Sequence, residues 1–403
     1  MHSRDLIGGI FNGYELQKGL NLCNISAKQI VKRKSSKDDN VLEFSIPYRI
    51  DEKIQVLENE LSINNLLPHY GKELSNHKEF LNADIVHYHM IHNYLISLYD
   101  MPYLTKRKPS VWTIHDPWMI TGHCVQPLNC NKWRTGCIEC PHLNTFYFPM
   151  TVDNAAMMWD IKRGIYKQLD IDLVVATDYM KRILKESPLT AHFKKIHRIP
   201  FGIDMSPYDK CNREELRSQY GRKLDQFAIG FRVDDDPTKG VNFIWDMLRK
   251  REMDDRWILY CIGNGSVPKD IKERYQVIEY GLENRREKIV EFYCLCDIFL
   301  MPSLAESFGM MAIEAMVARC TVICFKDTVL EEVTNAPEYG LAVKYADDVA
   351  LLEAVERLYH HKEECAARGV KGQEWAKEKY QMKDYIGKHI ELYHEIISRK
   401  RNS

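Results

Sequence analysis

The sequence has almost no net charge and no apolar run long enough to cross a membrane. A membrane-spanning helix needs about 18 consecutive apolar residues, and no such stretch occurs. The formal net charge is -1 over 403 residues, which gives no electrostatic case for nucleic-acid binding. Polar residues follow Met1, without the apolar segment of a signal peptide. We therefore predict a cytoplasmic protein with no nucleic-acid partner.

Repeats and one common nucleotide-binding motif are also lacking. No Gly-x-Gly-x-x-Gly follows an early strand, and Gly263-Asn264-Gly265 is only a fragment of that pattern. This argues against a dinucleotide oxidoreductase. No internal repeat or low-complexity segment is found, so a solenoid and a disordered chain are both excluded.

What is present is the composition of an ordinary globular protein. At roughly 100–200 residues per domain, the length favours two domains. The 12 cysteines should be mostly reduced in a cytoplasmic protein, so clustered ones suggest metal ligation rather than disulfides. Basic residues cluster at 32–37 and 399–401. They are either solvated surface charge or a contact with an anionic membrane face.

Short β-branched runs alternate with helical patterns along the chain. This alternation is typical of doubly wound α/β domains with parallel sheets. The predicted strands are 84–89, 110–115, 172–177, 226–232, 257–262, 297–301 and 321–325. The predicted helices are 155–168, 178–187, 239–252, 284–295, 307–318 and 346–360, with one or two more in the tail. We expect an N-terminal domain over 1–203 and a C-terminal domain over 204–380, with the final helix at about 381–403 packing back on the first.

The strongest sign of a functional site follows the predicted strand 297–301. A helix is expected to begin near Ser307, where free N–H groups and the helix dipole would stabilise phosphate oxygens. Gly309 would let a ligand approach the backbone. Glu306 and Glu314 are about two helical turns apart, so their carboxylates should lie along one face and suit a hydroxyl-rich ligand. A capping glutamate and a surface glutamate are the plain alternative.

Two basic residues mark the loop after the predicted strand 226–232. Arg232 ends the strand, and Lys239 precedes the next helix. Two cations beside a helix start could neutralise a diphosphate leaving group. Each residue alone is more often a surface charge, but together with the glutamates they suggest two sides of one site.

These motifs resemble the retaining glycosyltransferases of family 4, whose hallmark is two glutamates separated by seven residues. The similarity covers about 225–325. It rests on Arg232 with Lys239-Gly240, on DIFLMPS at 297–303, on ESFG at 306–309 and on EAM at 314–316. The resemblance implies the GT-B fold, in which two doubly wound Rossmann-like domains face each other across a cleft.

The resemblance also implies a role for each matching residue. Arg232 and Lys239 would hold the pyrophosphate of the donor, and Glu306 would face the transferred sugar. Glu314 would accept hydrogen bonds from the ribose hydroxyls. The remaining contacts to sugar or phosphate, largely through main-chain amides, would come from Ser307, Phe308, Gly309 and Met310. No cofactor is then required for catalysis.

One position departs from the family pattern. The usual small-Gly-x-Pro after the helix is here Ala318-Arg319-Cys320-Thr321. Glycine normally ends such a helix in the left-handed conformation, which would cost arginine roughly 1 kcal/mol.

The N-terminal half offers weaker candidates. Gly9, in a Gly-Gly pair before a helical pattern, matches a family contact to the donor phosphate, although few strand formers precede it. His115, at the end of a strand, resembles the family histidine that hydrogen-bonds the sugar; a satisfied core histidine is the alternative. His87 and His89 share one face of another strand and are expected to line the core or cleft rather than bind metal.

A cysteine-rich segment lies at 121–141. Cys137 and Cys140 form a C-x2-C pair, and Cys124 and Cys130 could complete a tetrahedral structural zinc site. Free or partly bridged cysteines are the alternative. The segment resembles an insertion found in a bacterial polysaccharide subgroup of the family, where it would border the acceptor.

The resemblance implies a retaining hexosyltransferase of bacterial surface polysaccharide biosynthesis. Its donor would be a nucleotide-diphosphate sugar, with UDP favoured over GDP. Its acceptor would be a hydroxyl of a glycan or a lipid-linked oligosaccharide, with peripheral contact at the cytoplasmic face of the inner membrane. Two alternatives stay open: a GT-B sugar-nucleotide epimerase, and a non-catalytic subunit that binds a sugar nucleotide.

Overall fold

The computed structural model describes residues 2–6, 13–44, 48–68, 70–92, 94–223, 225–252 and 255–402. The chain divides into two compact units. The first comprises Met1–Gly202 and Met382–Ser403, and the second comprises Ile203–Gln381. Over the described ranges, no helix is both long and apolar enough to span a bilayer.

The described strands and helices alternate through both units. The strands are β1 (His2–Arg4), β2 (Gln29–Arg33), β3 (Val41–Glu43), β4 (Val86–His89), β5 (Ser110–Thr113), β6 (Asp172–Val175), β7 (Ile196–Arg198), β8 (Phe227–Val233), β9 (Trp257–Gly263), β10 (Gln276–Gly281), β11 (Ile298–Met301), β12 (Thr321–Phe325) and β13 (Leu341–Val343). The helices are α1 (Tyr14–Leu22), α2 (Tyr48–Glu60), α3 (Gly71–Ser75), α4 (Lys78–Asn82), α5 (Met101–Arg107), α6 (Ala155–Tyr166), α7 (Asp178–Glu186), α8 (Ser206–Asp209), α9 (Arg213–Gln219), α10 (Val241–Lys250), α11 (Lys269–Arg274), α12 (Arg286–Leu295), α13 (Met310–Val317), α14 (Val329–Thr334), α15 (Asp348–His360), α16 (Lys362–Lys379) and α17 (Met382–Arg401).

The first unit contains two parallel sheets, in the strand orders β1-β2-β3 and β4-β5-β6-β7. All four residues of β5 are buried, as expected of a strand covered on both faces. The long helix α17 packs on α1, where Gly19 makes room for Ile386: a Cβ added at Gly19 would lie 2.1 Å from Ile386 Cδ1.

The second unit is built on one parallel sheet in the order β10-β9-β8-β11-β12-β13. The four predicted strands of this half match β8, β9, β11 and β12 to within one residue. Because β8 and β11 are neighbours, the loops that follow them leave the same edge of the sheet. That carboxyl edge is where open parallel α/β sheets bind their ligands.

The end of α13 confirms the expected departure at Arg319. Its φ is +64°, in the left-handed region. The Cys320 amide donates to the Ala315 carbonyl at 2.8 Å, and the Arg319 amide donates to Met316 at 2.9 Å. These two bonds close the helix in the manner usual for a glycine, so arginine carries the strain here.

Candidate functional site

The loops after β8 and β11 are held together by their backbones. The Leu304 amide donates to the Thr238 carbonyl at 2.8 Å. Gly240 has a φ of +72°, and a Cβ added there would lie 1.9 Å from the Pro302 carbonyl oxygen. Only glycine therefore allows this approach, and the two loops form one rigid platform.

An ion pair between Lys239 and Glu306 joins the two loops through their side chains. Lys239 Nζ lies 2.7 Å from Glu306 Oε1, and the two side chains are only 22% and 16% exposed. The Ser303 hydroxyl lies 3.5 Å from the same carboxylate oxygen. Burial alone would lower the pKa of Lys239, but the Glu306 carboxylate outweighs it and holds the pKa above its ordinary value. Lys239 is therefore a charged ammonium group within the platform.

Arg232 lies at the rim of this platform and is more exposed than Lys239. Its guanidinium contacts Asp234, and its side chain is 42% exposed. Asp234 also accepts a hydrogen bond from the Asp236 amide at 2.9 Å. An exposed ion pair is worth only about 0.2–1 kcal/mol, so an incoming anion could draw Arg232 away from Asp234 at small cost.

The helix after β11 begins later than predicted. α13 starts at Met310, whereas the sequence analysis placed the start near Ser307. Gly309 takes a φ of +92° against Leu330 and turns the chain into the helix, so residues 306–309 are not helical. The expectation that Glu306 and Glu314 lie along one helical face is therefore wrong, because only Glu314 is on the helix.

The ligand contacts predicted for the backbone of residues 307–310 stay a prediction at this helix start. The first N–H groups of a helix point out of its end, and here the Ala312 amide already donates to the Gly309 carbonyl at 3.0 Å. The side chain of Phe308 is buried and packs edge-on against Tyr380, with ring centroids 5.6 Å apart. Phe308 is thus available to a ligand only through its backbone, and Ser307 and Gly309 flank it.

Glu314 has a separate environment from Glu306. Its Oε2 accepts a hydrogen bond from the Tyr293 hydroxyl at 2.9 Å. Burial raises the pKa of Glu314 to about 7, against the opposing effects of that hydrogen bond and of Arg286. A ligand that donates hydroxyl groups to this carboxyl would stabilise its ionised form. The sequence analysis did not identify Tyr293, which comes from α12 and carries no motif of its own.

His115 lies just beyond β5 in the first unit, at the carboxyl edge of its sheet, and is partly exposed. Its Nε2 is joined by a hydrogen bond to His89 Nδ1 at 3.0 Å. Its ring stacks on Phe201 with centroids 5.4 Å apart and planes 8° apart. His115 is therefore held by both neighbours, and its Nδ1 is buried. The Gly9 prediction falls outside the described residues.

The four predicted zinc ligands are free cysteines. The Gly122 amide donates to Cys137 Sγ at 3.2 Å, and His123 Nε2 lies 3.3 Å from Cys140 Sγ. In the part of the chain that is described, no group of three or more His, Cys, Asp or Glu side chains is placed to hold a metal ion. The zinc site at Cys124, Cys130, Cys137 and Cys140 stays a prediction, and His123 is a polar neighbour that the spacing did not suggest.

Acidic residues of the first unit pair with the basic cluster at 399–401. Arg399 pairs with Asp172 and Lys400 with Asp170. In the other cluster, Lys32 forms a buried ion pair with Asp51. Charges that are already paired attract an anionic surface weakly, so these residues give little support to the predicted membrane contact.

The family comparison falls on the second unit. Residues 212–375, which include both loops and α13, match the family model described as "Glycosyl transferases group 1". A putative colanic acid biosynthesis glycosyl transferase, WcaC of Escherichia coli (strain K12), is 34% identical over 92 residues, which are 21% of this chain and 22% of WcaC. An uncharacterized 41.2 kDa protein in the cps region of Klebsiella pneumoniae is 23% identical and covers 65% of this chain and 72% of its own.

Solved structures share the architecture of the whole chain. Sucrose-phosphate synthase from Thermosynechococcus elongatus superposes with a TM-score of 0.67 at 14% identity, over 96% of this chain and 92% of that one. Anabaena HepE, solved in complex with UDP and glucose, superposes with a TM-score of 0.58 at 13% identity, over 81% of each chain. The protein has the GT-B fold with two Rossmann-like units, as predicted.

Proposed function

We propose that the protein is a glycosyltransferase that moves a sugar from a nucleotide-diphosphate sugar to a hydroxyl of a glycan in polysaccharide biosynthesis. One observation carries the proposal: the Lys239–Glu306 pair lies on the loops after β8 and β11, beside the first turn of α13. The group 1 match over this segment supports sugar transfer as the reaction. The names of the WcaC and cps-region relatives support a role in polysaccharide biosynthesis.

The departing diphosphate is the group that needs most stabilisation in this reaction. As the bond from the sugar to the phosphate breaks, negative charge builds up on the leaving oxygen. Lys239 and Arg232 supply positive charge, and the amides at Gly309 and Met310 supply oriented donors in a partly water-excluded site. In this proposal the protein needs no further cofactor for this step.

The two glutamates take different parts of the donor. Glu306, held by Lys239, faces the sugar and would accept hydrogen bonds from its hydroxyls. Glu314 lies one helix turn further from the platform and would accept the ribose hydroxyls of the nucleotide. With a pKa of about 7, the Glu314 carboxyl is partly protonated near neutral pH. Hydrogen bonds donated by the ribose hydroxyls would favour its ionised form.

His115 is the proposed contribution of the first unit, as a hydrogen-bond partner of the transferred sugar. The HepE complex, with UDP and glucose, supports a UDP-sugar as the first donor to test. Retention of the anomeric configuration and a glycan or lipid-linked acceptor complete the proposal, and both rest on the family resemblance.

A donor panel tests the proposal. The protein is incubated with UDP-, GDP- and dTDP-sugars, and the melting temperature and the slow hydrolysis of each donor are followed. We expect stabilisation by one nucleotide class and hydrolysis of one sugar donor. Glu314→Ala should weaken nucleotide binding, and Lys239→Ala should slow hydrolysis more than it weakens binding. If no nucleotide sugar shifts the melting temperature, the proposed function is wrong.

A further inference from the structure

A cavity of about 570 Å³ lies in the second unit, at the edge of the sheet opposite to the platform. Its walls include Phe227, where β8 begins, and Asp297, which directly precedes β11. These residues lie at the amino ends of the two strands, whereas the platform follows their carboxyl ends. The cavity is therefore separate from the candidate donor site, and its volume is in the range of small-molecule sites, roughly 300–1,000 Å³.

Basic side chains outnumber acidic ones on the walls of this cavity. Six lysines and arginines line it, against three aspartates and glutamates. An excess of positive charge in a concave surface attracts anions. The basic residues are Arg213, Arg217, Arg222, Arg319, Lys362 and Lys377, and the acidic ones are Asp209, Glu214 and Asp297.

Three of the arginines gather around one carboxylate. Asp297 Oδ1 lies 3.0 Å from Arg217 Nη2, and Asp297 Oδ2 contacts Arg222. Arg213 has no carboxylate partner among the described residues, and its guanidinium donates to the Ala318 carbonyl at 2.6 Å, just after α13. A helix end of this kind holds the guanidinium in place, but it carries only a partial negative charge. Positive charge therefore remains in excess beside Asp297.

Arg217 keeps hydrogen-bond donors that the protein does not use. Its Nη2 is bound to Asp297 and to the Cys296 carbonyl, at 3.0 and 2.9 Å. A guanidinium has five N–H donors, and in the described part of the chain no hydrogen bond from Nη1 is formed. Burial lowers the pKa of Arg217, and Arg213 and Arg222 also lower it, against the opposing effect of Asp297. An anion beside these guanidiniums would relieve their mutual repulsion.

We propose that this cavity binds a phosphate group, carried either by a phosphate monoester such as a sugar phosphate or by inorganic phosphate. Arg213 and Arg217 would donate to the phosphate oxygens, for which the planar guanidinium is well suited. Hydroxyl groups of a monoester would meet the side-chain amides of Asn212 and Gln226, which line the same cavity. The proposal does not rest on the proposed function, because the cavity shares no residue with the platform.

Calorimetric titration with inorganic phosphate and with glucose 6-phosphate tests the site, in chloride buffer at fixed ionic strength. Arg217→Gln should weaken binding of the phosphate group by at least about 10-fold, because charge-assisted hydrogen bonds are lost. Asp297 keeps Arg222 as its partner in this variant, so its carboxylate is not left unpaired. Arg217→Lys keeps the positive charge and should lose less affinity than Arg217→Gln.

Two further variants provide the controls. Arg285→Gln changes an arginine of the second unit that lies outside the cavity and whose side chain is 71% exposed, and it should bind both probes as the parent does. Lys362→Gln changes an exposed residue of the cavity wall and should keep the parent melting temperature. It should weaken binding by about 2- to 5-fold, and it keeps the proposal testable if Arg217→Gln proves unstable.

The two probes and a platform variant separate the outcomes. Tighter binding of glucose 6-phosphate would support a monoester as the ligand, and equal binding would support the free ion. Lys239→Ala should bind both probes as the parent does. The proposal is overturned if the parent binds neither probe, or if Arg217→Gln and Lys362→Gln both bind like the parent. It is also overturned if Lys239→Ala abolishes binding, because the phosphate then lies at the platform.

Discussion

The two units assemble their candidate groups by different routes. In the second unit, Lys239 and Glu306 come from loops that directly follow neighbouring strands, and each loop has a recognisable sequence pattern. In the first unit, His115 is oriented by His89, which is 26 residues away, and the network continues to Tyr393 through a contact that spans 306 residues. The comparison teaches that a site built from loops after strands is visible in the sequence, while one built from contacts across strands becomes visible only in the fold.

The largest expected effect tests the platform of the second unit. Lys239→Ala and Glu306→Gln should each lower donor turnover by about 10²- to 10³-fold, because charge stabilisation at the leaving group is lost. Because the pair is largely buried, each variant should also lose some stability, so turnover is compared at a temperature at which all variants are folded. Lys269→Ala, at a lysine whose side chain is 91% exposed on α11, is the control and should be active. Turnover within 3-fold of the parent in both variants would remove the platform from the mechanism.

The next effect concerns the contact that locks the two loops. Gly240 and Gly221 both have left-handed φ angles, of +72° and +66°, but only Gly240 faces a backbone oxygen, whereas Gly221 faces open space. Gly221→Ala should lower the free energy of unfolding by about 1 kcal/mol, and Gly240→Ala by about 3 kcal/mol. Urea unfolding measures both. Equal losses of unfolding free energy in the two variants would show that the two loops do not depend on the close approach of Gly240 to the Pro302 carbonyl.

A smaller effect sharpens the comparison between the two glutamates. Burial raises the pKa of Glu314 to about 7 from an ordinary value of 4.5, so the native state holds this proton more tightly than the unfolded chain. The protonated Glu314 carboxyl therefore makes its full contribution to stability below the pKa that it has in the unfolded chain. That contribution is lost as the pH rises through the pKa that the group has in the folded protein. When the pH is raised from 5 to 8, the free energy of unfolding should therefore fall by roughly 1–2 kcal/mol less in Glu314→Gln than in the parent protein. Parallel stability curves for the two proteins would contradict the shifted pKa.

The smallest effect lies at the end of α13. Arg319→Gly should raise the free energy of unfolding by up to about 1 kcal/mol, because glycine takes the left-handed conformation without strain. The gain is reduced by loss of the Arg319 Nε hydrogen bond to Gln373, which is 3.0 Å long. Thermal unfolding measures the difference. A marked loss of stability would mean that this bond outweighs the backbone strain.

The sequence predicted the α/β class and most strands of the second unit because buried parallel strands form continuous apolar runs. It also marked Arg319 as a departure from the usual glycine, and the structure shows that the arginine takes the left-handed conformation. The start of α13 was misplaced because Ser307 is a favourable cap, whereas Gly309, in the left-handed region, is the residue that turns the chain into the helix.

Partners that lack a local pattern could not be predicted from the sequence. Tyr293 meets Glu314 only because α12 packs beside α13, and His89 meets His115 only because β4 and β5 pair in parallel register. The sequence analysis noted that His87 and His89 share one face of a strand. Their position relative to His115 follows only from the register of β4 and β5. The cysteine segment has a pattern but no metal geometry, and metal analysis of the purified protein is the direct test of its zinc prediction.

The charges of Lys239 and Glu306 cancel each other, and this affects which anions can bind beside the pair. A bare cluster of cations would also be occupied by orthophosphate, which would compete with a diphosphate ligand. Here the ammonium group already has a carboxylate beside it, and that carboxylate repels a small dianion such as hydrogenphosphate. A ligand that brings sugar hydroxyls together with its phosphates satisfies both charges at once, so inorganic phosphate should be a poor competitor.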